Sequence, residues 1–201
     1  MDNTLRYNQL RGGGNELFRF LKKLHLIGDE QKYGDISLLS LFKLVFRTFF
    51  GRILYAYAYN GLVLEPINKK ILRPAVWRLL GCKVGKNVHI GHQVRIDFGN
   101  ADKIIVADDV VISNGVTILC HKRDVTNYRK DDHANRLPFI YDKVIINKGC
   151  QIGLNTTLLP GVKIGEGTII GSCSVVTKSL PGWSIAVGNP AKVLKTVIPV
   201  E

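Results

Sequence analysis

Residues 146–176 read INKGCQIGLNTTLLPGVKIGEGTIIGSCSVV, and a single beat runs through them. An aliphatic residue recurs at every sixth position: Ile146, Ile152, Leu158, Ile164, Ile170 and Val176. Four places after the first five of these stand small or β-branched residues: Cys150, Thr156, Val162, Thr168 and Ser174. The same phase appears upstream at Val84, Ile90 and Ile96, and again at Val106, Ile112 and Ile118, which makes twelve hexads in three blocks. A period of six is neither the 3.6-residue repeat of a helix nor the two-residue alternation of a plain strand. It fits a chain that bends sharply after each short strand, with Gly or Asn admitting turn geometries that other side chains resist. Three strands and three bends make a coil of about 18 residues, and coils stack at roughly 4.8 Å through strand hydrogen bonds. The expected fold is therefore mainly β, a parallel β-helix of about four coils in which each coil touches only its neighbours.

Two interruptions stand out. Ile96 to Val106 is four residues longer than one hexad, and Ile118 to Ile146 is twenty-two longer. The second predicts an excursion loop over residues 120–143, and loops on rigid scaffolds are where function tends to sit. The expected organisation is an α-helical N-terminal region at 1–80, a β-helix at 81–182, and a C-terminal tail at 183–201.

Composition narrows the partners. The chain has 201 residues and a net charge of +12, which attracts phosphate-bearing ligands, anionic lipid or nucleic acid. The cations are scattered and no recognised nucleic-acid-binding signature is present, so nucleic acid is the weakest of these expectations. Cys82, Cys120, Cys150 and Cys173 lack metal-type spacing, and with no signal peptide they read as free thiols of a cytoplasmic protein.

Upstream of the repeat, Gly12-Gly13-Gly14 breaks the chain and Asn15 is a candidate cap for a helix over 17–24. A second helix is expected from Ser37 to about Tyr59, with Lys43, Arg47 and Arg52 on or near one face, and a third over Ala75–Leu80. Residues 36–64 are too interrupted by charge for a spanning helix, which needs about 20 mostly apolar residues. Two readings stay open for this segment: packing on the β-helix or a neighbouring subunit, or contact with the inner face of a membrane.

Hexads of the form [Ile/Leu/Val]-Gly-x-x-[Val/Thr/Cys/Ser]-x resemble the left-handed β-helix of the hexapeptide-repeat acyltransferases, over about residues 82–197. The left hand is implied by the resemblance, since parallel crossovers are normally right-handed. His121, in VTILCHKRD (116–124), stands where the chain leaves the coil. In the similar sugar O-acetyltransferases a His at this loop entrance is the general base that deprotonates the acceptor hydroxyl as it attacks acetyl-CoA. His suits the task because an imidazole titrates near neutral pH. The family's His often lies a couple of residues further past the last hexad.

Asp97, one coil earlier, aligns with an acceptor-binding Asn of those relatives. It could accept sugar hydroxyls, polarise the imidazole, or simply end a strand, and Asp124 is another candidate partner for His121. Cys120 beside His121 invites an acyl-enzyme, although sequence neighbours rarely form an activated pair. His89, His92 and His133 do not follow the ligand spacing of the family's zinc-dependent members, so no metal is expected. The ending AVGNPAKVLK (186–195) looks like that of the acetyltransferase branch. By resemblance Ser172, Thr177 and Lys178 line the pantetheine and phosphate path, and Lys192 and Lys195 meet the nucleotide phosphates. Trp183 either covers the cosubstrate or caps the core. The mixed charge and aromatics of residues 122–143 suit a saccharide or an adjacent subunit.

The resemblance thus implies an acetyl-CoA-dependent O-acetyltransferase acting on a sugar or lipid-linked sugar of surface polysaccharide biosynthesis. It also implies a homotrimer with sites between subunits. The rivals are an N-acetyltransferase on an amino-sugar, disfavoured because residues 1–80 lack a Gly-rich strand-to-helix turn, and a non-enzymatic scaffold.

Overall fold

The hexad positions stack in register. In the computed structural model, strands β1 (Lys83–Val84), β4 (Ile104–Val106), β9 (Val144–Ile146) and β12 (Lys163–Ile164) form one four-stranded sheet. Its parallel pairings set Val84 beside Val106, Val106 beside Ile146, and Ile146 beside Ile164. A second sheet stacks β2 (His89–Ile90), β5 (Val111–Ile112), β10 (Gln151–Ile152), β13 (Ile169–Ile170) and β15 (Ser184–Gly188). A third stacks β3 (Arg95–Ile96), β6 (Thr117–Ile118), β11 (Thr157–Leu158) and β14 (Val175–Val176). The chain visits the three sheets in rotation, so four complete coils are built, and β15 adds a fifth rung to the second sheet. That rung lies beyond residue 182, so the stack extends into the stretch expected as tail.

The structure describes residues 67–197 continuously, together with positions 39, 42, 46, 49–51, 53, 56, 57, 59 and 60. The glycine break at 12–14, the helix expected over 17–24, and the side chains of Lys43, Arg47 and Arg52 lie outside the described residues. The chain divides into two compact units, residues 1–53 and 54–201.

Within the second unit the aliphatic hexad residues point inward and lose nearly all contact with water: Ile90, Ile112, Ile146, Ile152, Leu158, Ile164 and Ile170 are each at most 1% exposed. The small position of the hexad is explained by the polar groups it carries. Buried Thr168 donates its hydroxyl to the Pro181 carbonyl at 2.6 Å, and buried Ser174 to the Gly171 carbonyl at 2.6 Å. A short hydroxyl can be satisfied this way inside a narrow prism; a longer polar side chain would be stranded. Glycine is required at the corners because successive corners nearly touch. A Cβ on Gly153 would lie 2.6 Å from the backbone nitrogen of Ser172 in the next coil.

The first coil is closed by helix α1 (Arg73–Leu80), which follows a π-helical turn at Asn68–Leu72. The helix starts two residues ahead of the expected Ala75, with Pro74 in its first turn, where a missing N–H costs nothing. Gly81 ends it at φ 109°, in the left-handed region open to glycine. Trp77 is 1% exposed and joins the β-helix core, while Arg73, equally buried, donates to the Ile90 carbonyl at 3.1 Å. The described helix therefore serves as a plug for the open end of the stack.

A solenoid's stability is close to a sum over neighbouring layers. Replacing Ile164, which sits between Ile146 and Leu180 with no exposed surface, by Ala should cost about 2–5 kcal/mol. Urea unfolding followed by circular dichroism would check it, and a cost near zero would mean the layers are not close-packed.

Candidate active site

Both interruptions of the hexad beat come to the same corner of the prism. The first is a 3-10 segment, Phe98–Lys103, directly after Asp97. The second leaves the third sheet after Ile118 and rises as a two-stranded ribbon: β7 (His121–Arg123) pairs antiparallel with β8 (Phe139–Tyr141). Because Ile96 and Ile118 are register partners, Asp97 lies one layer from the root of that ribbon. The Asp142 amide donates to the Cys120 carbonyl at 2.9 Å and closes the root.

There the imidazole of His121 meets the carboxylate of Asp97 through Nδ1 and Oδ2. Asp97 Oδ2 also accepts the backbone N–H of Cys120 at 3.1 Å, and Oδ1 accepts Asn100 Nδ2 at 3.0 Å. A carboxylate only accepts, so in the neutral ring Nδ1 carries the proton and Nε2 keeps its lone pair. Asp97 is largely buried and His121 is partly open, with side-chain exposures of 7% and 38%. Phe139 packs edge-on against the imidazole at 5.2 Å between centroids, and Tyr141 lies 6.1 Å away. The Arg123 guanidinium covers Phe139 at 3.8 Å and donates to the Leu137 carbonyl. The result is an imidazole oriented from one side by a carboxylate and walled on the ribbon side by aromatic rings.

Asp124 is not the partner of His121. Its carboxylate accepts the Thr126 amide at 3.0 Å, and hydrogen bonding from the Thr126 hydroxyl and amide holds it below the usual carboxylate range. Cys120 is fully buried, and burial together with the Asp97 carboxylate pushes its thiol up to about 12. A thiol held protonated and without access is no nucleophile. Sequence reasoning missed Asn100, Phe139 and Tyr141. The aromatic alternation after Pro138 was the one available sign of a ribbon strand.

The residues proposed for the cosubstrate divide between two corners. Thr177 and Lys178 follow β14 on the corner column that carries His121, two coils further along. Ser172 follows β13 on the next corner, beside a shallow groove over the second sheet that also involves Lys69, His89, Asn114 and Gln151. His89 in that groove is held below the ordinary imidazole range by burial and by Lys70 and Lys69. Lys192 and Lys195 lie on β16 (Ala191–Thr196), which returns antiparallel along β15. A register shift beside Ile185 and Ala186 pairs Lys192 with Val187 and Lys195 with Ile185, which brings both cations to one face of the ribbon. Two lysines on one face suit a polyphosphate, since each neutralises charge as a compact cation. Trp183 does not cap the core: it is 56% exposed and lies over Gly167 at an outer corner. Among the described residues no group of three His, Cys, Asp or Glu side chains could hold a metal ion.

Residues 140–178 match the family model for the bacterial transferase hexapeptide, six repeats. A colanic acid biosynthesis acetyltransferase by name, WcaF of Escherichia coli (strain K12), is 31% identical over 140 residues, 64% of this chain and 77% of that protein. The chain belongs to the hexapeptide-repeat acetyltransferases. YvoF of Bacillus subtilis (strain 168), also named as an acetyltransferase, is 34% identical over 117 residues, 58% of this chain. The match spans 62% of YvoF's own length. Among solved structures, a maltose O-acetyltransferase from Clostridium difficile 630 superposes with a TM-score of 0.59 at 25% identity, covering 78% of this chain and 89% of that one. The parallel stack described above is thus the left-handed β-helix of this family, and the His121 ribbon is an insertion within it.

Proposed function

We propose that this chain transfers the acetyl group of acetyl-CoA to a hydroxyl of a saccharide, free or lipid-linked, in surface polysaccharide assembly. The observation that carries the reading is the His121–Asp97 pair, which leaves Nε2 free at the mouth of an aromatic-walled corner. The name of WcaF, tied to colanic acid biosynthesis, supports a saccharide of that class.

In the proposed step the acceptor O–H gives its proton to His121 Nε2 as the oxygen bonds to the acetyl carbonyl carbon. The carbon–sulfur bond breaks, and the departing CoA sulfur takes the proton back from the imidazolium. Asp97 stays ionised throughout and stabilises the transient imidazolium. With Cys120 buried and protonated, attack is direct.

The split of the cosubstrate residues over two corners supports a homotrimer. One subunit's His121 corner, with Thr177 and Lys178, would face Ser172 and the Lys192–Lys195 ribbon of a neighbour, and CoA would lie between them. Closed threefold symmetry repeats that arrangement at each interface. The expected setting is the cytoplasmic side, where acetyl-CoA is made.

Thiol release from acetyl-CoA, followed with a panel of mono- and oligosaccharides and their amino-sugar counterparts, tests the reading. Turnover on hydroxyl acceptors is expected. Turnover confined to amino-sugars would make the chain an N-acetyltransferase, and no CoA binding at all would leave a scaffold. Replacing Lys192 and Lys195 together by Ala should raise KM for acetyl-CoA about 10-fold or more with kcat little changed, at about 1.5–3 kcal/mol for a charge-assisted contact to phosphate. An unchanged KM would remove these lysines from the phosphate path.

A further inference from the structure

Charge and apolar surface are concentrated together ahead of the β-helix. Between Asp35 and Lys83, where the β-helix begins, the only acidic residue is Glu65, yet the stretch holds seven Lys and Arg, a net of +6 out of the chain's +12, and residues 36–64 hold three cations and no acid. Within the first unit, every described position from 39 to 53 is helical. Six large apolar side chains there, Leu39, Phe42, Phe46, Phe49, Phe50 and Ile53, are 50–68% exposed. Their spacings of mostly three and four residues place them along one helical face. The rings of Phe42, Phe46 and Phe50 stack in file at 6.4 and 6.1 Å. The second unit shows the same mixture by itself: Ile71 and Leu79 are 61% and 74% exposed on Asn68–Leu80, beside exposed Lys69, Lys70 and Arg78.

A contiguous exposed apolar stripe marks a surface that meets something. Charge decides what. Stripe against stripe, a second copy of this chain would set the +3 of residues 36–64 against the same +3 with no acidic residue on either side, and like charge opposes that contact. An anionic bilayer supplies both missing complements: acyl chains for the phenylalanines and headgroup phosphates for the cations. None of the described helices is long and apolar enough to cross a membrane, so the stripe would lie in the plane of the surface.

We propose that residues 36–64 seat this chain on an anionic phospholipid surface, with the Leu39–Ile53 stripe entering the boundary between headgroups and acyl chains and the acid-free basic charge holding the lipid phosphates. This does not depend on the acetyl-transfer reading. It would place the enzyme where a lipid-linked acceptor resides.

The test uses the full chain and vesicles of phosphatidylcholine alone or mixed with phosphatidylglycerol. Co-sedimentation is expected with the mixed vesicles at low salt and much less with phosphatidylcholine or at high salt. The triple variant Lys43→Gln, Arg47→Gln, Arg52→Gln should partition about a hundredfold less onto mixed vesicles. A separate triple variant, Phe42→Ser, Phe46→Ser, Phe49→Ser, should bind neither kind. Its replaced side chains are exposed, so an unchanged thermal unfolding profile is expected and shows that the fold survives. In a Phe46→Trp variant, brominated acyl chains should quench the added fluorescence. No binding to mixed vesicles at any salt overturns the proposal. So does a phenylalanine variant that keeps vesicle binding but changes the oligomeric state by light scattering, because a second copy would then be the occupant.

Discussion

Replacing His121 with Ala lowers kcat by about 10²–10⁴-fold, the usual contribution of a positioned general base. The KM for acetyl-CoA changes little, because none of the residues assigned to CoA contacts this ring. Three features make the effect large. The imidazole is the one titratable side chain held at the ribbon root with a free nitrogen and an opening to solvent. The neighbouring thiol cannot take over, since burial keeps it protonated. The ring is fixed by a carboxylate on one side and aromatic rings on the other. Steady-state thiol release on the best acceptor checks this. Wild-type turnover in the variant would end the mechanism, while loss of CoA binding would assign His121 a structural part instead.

The second large effect comes from exchanging one oxygen for an NH2 group. Asp97→Asn should lower kcat by at least about tenfold, with the roughly 10²–10⁴-fold loss of removing the base as its ceiling. The carboxylate accepts from three donors: the Cys120 N–H, the His121 Nδ1–H and the Asn100 amide. Asn offers one acceptor oxygen and one NH2. If the oxygen faces His121, the NH2 confronts the donor of Asn100. If it is turned the other way, the NH2 confronts the Cys120 N–H and drives His121 to the tautomer whose Nε2 is protonated and cannot act as a base. The first arrangement sets two donors face to face unless Asn100 turns its amide over, and the second leaves the buried Cys120 N–H unsatisfied, at about 1–3 kcal/mol. The losses should therefore appear in kcat and in thermal stability together, with KM for acetyl-CoA unchanged. A variant that loses stability but keeps kcat would reduce Asp97 to a strand-ending residue.

The β-helix was readable from the amino acids because its rule is local and repeated: one aliphatic residue in six, a small one four places on, and corners too close for a Cβ at Gly153. Each hexad restates the same packing demand, so the core column could be named residue by residue before any coordinates. Position 97 was readable for the same reason, since stacking in register predicts what lies above what. The site's other features were not. Asn100 reaches Asp97 only through a 3-10 turn whose shape has no period, and Phe139 and Tyr141 reach His121 only because β8 returns beside β7. The bulge that brings Lys192 and Lys195 to one face also leaves no compositional trace. Trp183 went unresolved because a large aromatic at a chain turn fits an outer corner as well as a core end, and only its contact with Gly167 decides.

The ribbon of His121–Arg123 and Phe139–Tyr141 is tied shut where it leaves the stack, by strand pairing and by the Asp142–Cys120 backbone bond. Coil two hands over to coil three as if nothing intervened, with Ile118 still beside Leu158 and Val106 beside Ile146. The span from 124 to 138 is in this sense outside the solenoid's accounts. Its length can change without touching the register of any layer, while His121 and Asp97 stay on the fixed side of the clasp. Under the proposed mechanism, a lineage built this way would change what it acetylates by swapping one arm and keep unchanged the pair that moves the proton.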